Sequence, residues 1–132
     1  MEYSEIVLEH FHSPRNGYRM KDPDVVGKAG DPGRGPFMLL FLKVEGEKIQ
    51  EASYQTYGCG PAIAAGSLMT EKIKGATRTE ASSWTEPKLN EALGGLPMEK
   101  RHCSALAAKV LANALESWQA QPPQTEEPRA SS

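Results

Sequence analysis

The sequence predicts an α+β domain: a small antiparallel three-stranded sheet, with one helix ahead of it and several helices after it. Two observations carry that class. Strand-like segments fall before residue 58, and capped, helix-like segments fill the chain beyond it.

Tyr3, Ile6, Val7, His10 and Phe11 recur at helical spacing, and Pro14 ends that helix. His10 falls on its apolar stripe and reads as a core or capping histidine. Residues 15–36 hold five glycines and three prolines, including Gly30-Asp31-Pro32-Gly33-Arg34-Gly35-Pro36. This stretch reads as loop, with a short edge strand near Val25 and Val26. Phe37 to Val44 is almost continuously apolar, as a central strand covered on both faces would be. Glu45-Gly46-Glu47-Lys48 supplies a turn, and Ile49 to Tyr57 forms the returning strand with Ala52, Tyr54 and Thr56 on one face.

Gly60-Pro61 opens the next helix, with Pro61 suited to its first turn and Gly75 placed as its C-terminal cap. Ala62, Ile63, Ala64 and Ala65 make its first half small and apolar, which fits close packing on the sheet. Residues 77–94 read as one or two short amphipathic helices ending at Gly94-Gly95. The last helix is expected from about Ser104 to Trp118, with Ala107, Val110, Leu111, Ala114 and Trp118 as its apolar stripe. Residues 1–118 are thus expected to form one domain. Residues 119–132, rich in Gln, Pro, Glu and Ser, are expected to be a disordered tail.

Bulk properties narrow the function. The 132 residues are enough for one core, and the formal charge of −2 gives no basis for capture of nucleic acid. No apolar run approaches the length of a membrane span, and the start of the chain has no apolar signal core. Two cysteines, Cys59 and Cys103, are too few for a disulfide scaffold of this size. They read as reduced thiols of a cytoplasmic protein, either reactive ones or two buried structural ones.

Two segments concentrate the chemistry. In Tyr57-Gly58-Cys59-Gly60-Pro61 a cysteine stands between glycines at a strand-to-helix junction, where the helix dipole favours thiolate. Lys100-Arg101-His102-Cys103-Ser104 sets a second thiol beside an imidazole and two cations, again just ahead of the expected helix. Two thiolates and an imidazole suit a soft metal, zinc or an iron–sulfur cluster, provided that the fold gathers them. Lys100 is a candidate auxiliary residue for sulfur chemistry, with an ordinary solvated lysine as the plain reading.

Over residues 3–118 the chain resembles the IscU/NifU N-terminal family of iron–sulfur cluster assembly scaffold proteins. The resemblance rests on Tyr3-Ser4-Glu5-x-Val7-x-x-His10 with Pro14-Arg15-Asn16, on Thr56-Tyr57-Gly58-Cys59-Gly60-x-Ala62-Ile63-Ala64, and on His102-Cys103-Ser104. It implies a non-enzymatic scaffold on which iron or a [2Fe–2S] cluster is assembled and passed to recipient proteins, or where zinc sits. A cysteine desulfurase would be its sulfur-delivering partner. Three family positions carry over: Cys59, His102 and Cys103. Two do not, because by register Arg34 stands where the family has its first cysteine and Pro36 where it has its aspartate. A guanidinium has no lone pair to give a metal, so the site is expected to be incomplete or altered, with Arg34 able to pair with a thiolate instead. Leu96-Pro97-Met98-Glu99-Lys100 departs from the family's chaperone-binding segment, which puts a chaperone partnership in doubt. The alternatives are a sulfur carrier, with Cys103 as the persulfide acceptor, and a non-catalytic regulator of a cysteine desulfurase.

Overall fold

The computed structural model describes residues 3–58 and 60–120. The elements run α1 (Glu5–His12), β1 (Val25–Gly30), β2 (Phe37–Glu45), β3 (Lys48–Tyr57), α2 (Gly60–Ile73), α3 (Arg78–Ala81), α4 (Glu86–Ala92), a 3₁₀ turn (Met98–Lys100) and α5 (Arg101–Ala120). The three strands form one antiparallel sheet in the order β1-β2-β3, so the α+β class holds.

Most helix limits follow local chemistry. Ser4 caps α1, accepting from the Val7 amide at 3.0 Å while its own hydroxyl donates to the Leu93 carbonyl. Thr77 and Glu80 close a reciprocal capping box on α3. Gly75, just past α2, takes a left-handed φ of +84° that a side chain would resist.

The helices cover one face of the sheet. Met38, Leu40 and Leu42 of β2 are fully buried in the core with Met69 and Ile73 of α2 and Leu111 of α5. On the other face Phe41 is also buried, with the Arg19 guanidinium 5.4 Å above its ring. The central strand is therefore covered on both sides, as its unbroken apolar run requires.

Two elements differ from expectation. β1 is the edge strand expected near Val25 and Val26, but it runs for six residues, pairing from Val25↔Leu42 to Gly30↔Phe37. Gly27 masks it in the sequence, and the role of that glycine is contact: a Cβ there would lie 2.6 Å from the Val110 carbonyl oxygen and 2.7 Å from Ala114 Cβ. α5 is the second difference. It starts at Arg101, not Ser104, because Pro97 begins a tight turn closed by the Lys100 amide on the Pro97 carbonyl at 2.8 Å. His102 and Cys103 consequently belong to the first turn of α5 instead of preceding it. Residues 121–132, which include most of the expected disordered tail, lie outside the described residues.

Candidate functional site

The β1–β2 loop, residues 31–36, closes over a ladder that ends at Gly30↔Phe37. Gly33 and Gly35, with φ of +82° and +150°, turn the chain on either side of Arg34. Arg34 projects to solvent with its side chain 80% exposed; its amide donates to the Asp31 carbonyl at 3.0 Å, and its guanidinium lies 3.9 Å from the Asp31 carboxylate.

The register carries this loop to the second segment. Phe37 pairs with Tyr57, and their rings stack with centroids 5.9 Å apart. Pro36 and Gly58 are consequently neighbours, and a Cβ on Gly58 would stand 3.9 Å from Pro36 Cβ and 3.3 Å from Ala62 Cβ. Cys59 itself lies outside the described residues. Gly60, beyond it, opens α2 beneath the ring of Phe11.

The third segment is the start of α5. His102 is exposed, whereas Cys103 is 1% exposed and belongs to the core cluster. Four residues separate Cys103 from Ala107, so its burial continues the apolar stripe of α5 by one turn. Lys100 is half-buried in the 3₁₀ turn, and Met98 beside it is 85% exposed.

The residues expected at the site thus fall on three chain segments. Pro36 and Gly58 are in contact range, while Arg34 points to solvent beside Asp31. Among the described residues no three His, Cys, Asp or Glu side chains gather as a metal-holding group. Arg34 and Pro36 offer no donor, so Cys59, His102 and Cys103 are the matched positions with metal-binding chemistry.

One residue near the third segment escapes a reading of the sequence. Glu86, at the start of α4, accepts from Arg101 through Nη2 at 2.7 Å and Nε at 3.2 Å, and lies 3.2 Å from Ser104 Oγ. No short-range pattern marks it, because 15 and 18 residues separate it from those partners.

His10 takes the core role expected of it. It is 5% exposed, its Nδ1 is 2.7 Å from Ser67 Oγ and 3.2 Å from Arg15 Nη1, and its Nε2 is 3.7 Å from the Glu71 carboxylate. Ser67 also accepts from the Arg15 amide at 2.9 Å, tying α1, the following loop and α2 together. Burial pushes the His10 pKa down, and the Arg15 guanidinium lowers it further.

Comparison with known proteins agrees along the chain. Residues 2–125 match the NifU-like N terminal domain family. The chain is 45% identical over 113 residues to iron-sulfur cluster assembly scaffold protein IscU 1 of Archaeoglobus fulgidus, covering 86% of this chain and 74% of that protein. It is 40% identical over 122 residues to the Escherichia coli scaffold protein IscU, covering 89% and 94%. The crystal structure of the N-terminal part of a nitrogen-fixing NifU-like protein from Brucella abortus has the same fold, with a TM-score of 0.69 at 17% identity over 90% of this chain and 95% of that one. The chain belongs to the NifU-like N-terminal domain family.

Proposed function

We propose that this protein is an iron–sulfur cluster assembly scaffold whose cargo, iron or a [2Fe–2S] cluster, is held transiently by Cys59, His102 and Cys103 and by a fourth ligand from outside the chain. The carrying observation is 40–45% identity to IscU scaffold proteins over nearly the whole domain. The donor chemistry fits that cargo, because thiolates and imidazoles are iron–sulfur ligands. Water, a small thiol or a partner's side chain would complete the shell. Lys100, in the turn before His102, is the auxiliary residue of this reading. A cysteine desulfurase would supply sulfur, and iron–sulfur recipient proteins would take the product. No catalytic turnover is assigned, and the setting is cytoplasmic. Among the described residues no helix is long and apolar enough to cross a membrane.

Anaerobic reconstitution with ferrous iron and sulfide tests this. A [2Fe–2S] cargo gives iron and acid-labile sulfide in equal amounts on the purified protein and an iron cargo gives iron alone, either one lost in Cys59→Ser and Cys103→Ser variants that stay folded. Absence of both from the parent protein would refute it.

The missing donors at Arg34 and Pro36 favour a second reading, a persulfide carrier. In it the start of α5 opens to uncover Cys103, which is 1% exposed in the closed fold; its thiolate attacks the outer sulfur of a desulfurase persulfide, the old S–S bond breaks, and the desulfurase leaves as thiolate. A desulfurase-dependent mass gain of one sulfur on Cys103, without iron, would select this reading. No gain of sulfur and no iron would leave a regulator of the desulfurase.

A further inference from the structure

The first turn of α5 holds no acidic residue, and Pro97, which caps the preceding 3₁₀ turn, makes no side-chain capping bond. The turn instead opens with the cation Arg101, which the positive end of the helix dipole disfavours. A carboxylate from another element supplies what is missing. Oε2 of Glu86 accepts from Arg101 Nη2 at 2.7 Å and Nε at 3.2 Å. The same oxygen is 3.2 Å from the buried Ser104 hydroxyl, whose proton is shared with the Arg101 carbonyl at 2.9 Å. Arg101 precedes His102 and Ser104 follows Cys103, so one oxygen grips both flanks of the pair. The Glu86 side chain is only 28% exposed and stands in the first turn of α4, where a negative charge is favoured.

We propose that Glu86 is a positioning residue, which fixes the first turn of α5 and with it the imidazole of His102 and the sulfur of Cys103. This rests on the cargo-holding role proposed for that pair. The Glu86–Arg101 ion pair is partly exposed and adds little to the stability of the fold, so its consequence lies in geometry.

The test compares the full chain with Glu86→Ala and Glu86→Gln, and with Glu99→Gln as a control at an exposed acid in the adjacent turn. Two probes are read anaerobically: cobalt(II) alone, by its thiolate charge-transfer and d–d bands, and alkylation of Cys103 by iodoacetamide, located by mass spectrometry. Glu86→Ala is expected to weaken cobalt binding about tenfold, the low end of the usual effect of a residue supporting metal ligands, and to alter the d–d envelope. It should also speed Cys103 alkylation severalfold, with little change in melting temperature. Glu86→Gln, which retains an acceptor oxygen, should fall between Glu86→Ala and the parent, and Glu99→Gln should match the parent. Should Glu86→Ala fail to fold, Glu86→Gln decides the matter. Parent-like alkylation and spectra in the folded Glu86 variants, or equal effects from Glu99→Gln, would overturn the assignment. If the parent binds no cobalt, the cargo-holding role falls on that result, whereas the alkylation contrast still decides whether Glu86 positions the turn.

Discussion

The ring of Phe11 rests on Gly60: a Cβ at that glycine would stand 2.8 Å from Phe11 Cε1 and 3.0 Å from Cδ1. α1 thereby packs over the first residue of α2. The contact makes a coupling prediction. With Phe11 present, Gly60→Ala should gain less stability than it does without the ring, because the 43%-exposed ring must swing aside. With Phe11→Ala as background the same change should be neutral or stabilising by up to about 1 kcal/mol, since alanine exceeds glycine in helix propensity. Urea denaturation of the four proteins gives the coupling, and additive effects would show that the ring moves away without cost.

Gly27 offers less room for relaxation, because a Cβ there would stand 2.6 Å from the Val110 carbonyl oxygen, which belongs to the backbone of α5. Gly27→Ala should cost about 1–3 kcal/mol by pushing α5 off β1. The measurement is the urea midpoint at constant m-value; an unchanged midpoint would mean that helix and strand part freely.

His10 gives the pH dependence. Its folded pKa lies below the ordinary 6.5, chiefly through burial and then through Arg15, against the opposing carboxylates of Glu71 and Glu9 and with a small lowering from Lys72. The unfolded chain therefore binds the proton more readily. Stability from this group is fully present above pH 6.5 and is lost as pH falls from there through the lower folded pKa. Urea midpoints at pH 7.5 and 5.5 should differ in that direction, and His10→Gln should reduce the difference. An undiminished difference in a folded His10→Gln variant would assign the loss to other groups.

How far the sequence reaches depends on the range of the interactions involved. Local signals are legible: Gly75 sits just past α2 with a left-handed φ as its type suggests, and the stripe from Ala107 to Trp118 is buried. β1 is longer than its sequence suggests because Gly27 and Gly30 look like loop residues, although Gly27 exists for α5. The start of α5 lies one turn earlier than expected because Pro97 nucleates a 3₁₀ turn that runs directly into the helix. Among the functional residues, the cysteine and His-Cys segments stand out by their own composition. Glu86 does not, since its meaning arises only when α4 meets α5.

Arg34 and Pro36 give a gain-of-ligand prediction. The double change Arg34→Cys with Pro36→Asp should tighten zinc binding, by removing a fixed cation and adding a thiolate and a carboxylate. With zinc at a hundredfold excess over Kd the folded state should gain about 2.7 kcal/mol from binding. A competitive zinc titration and a melting curve check both effects. Unchanged affinity would place the β1–β2 loop outside the site. Weaker binding in a folded variant would give Arg34 a positive role.

Zinc-edge X-ray absorption on the parent protein, loaded with one zinc per chain as a closed-shell stand-in for the cargo metal, reads the ligand set itself. In thiol-free buffer, where water is the outside ligand, Cys59, His102 and Cys103 predict two sulfurs at about 2.3 Å and two nitrogen or oxygen neighbours at about 2.0–2.1 Å, one with imidazole scattering. Four light ligands with no sulfur, or a single sulfur, would contradict the claim that both cysteines hold the metal.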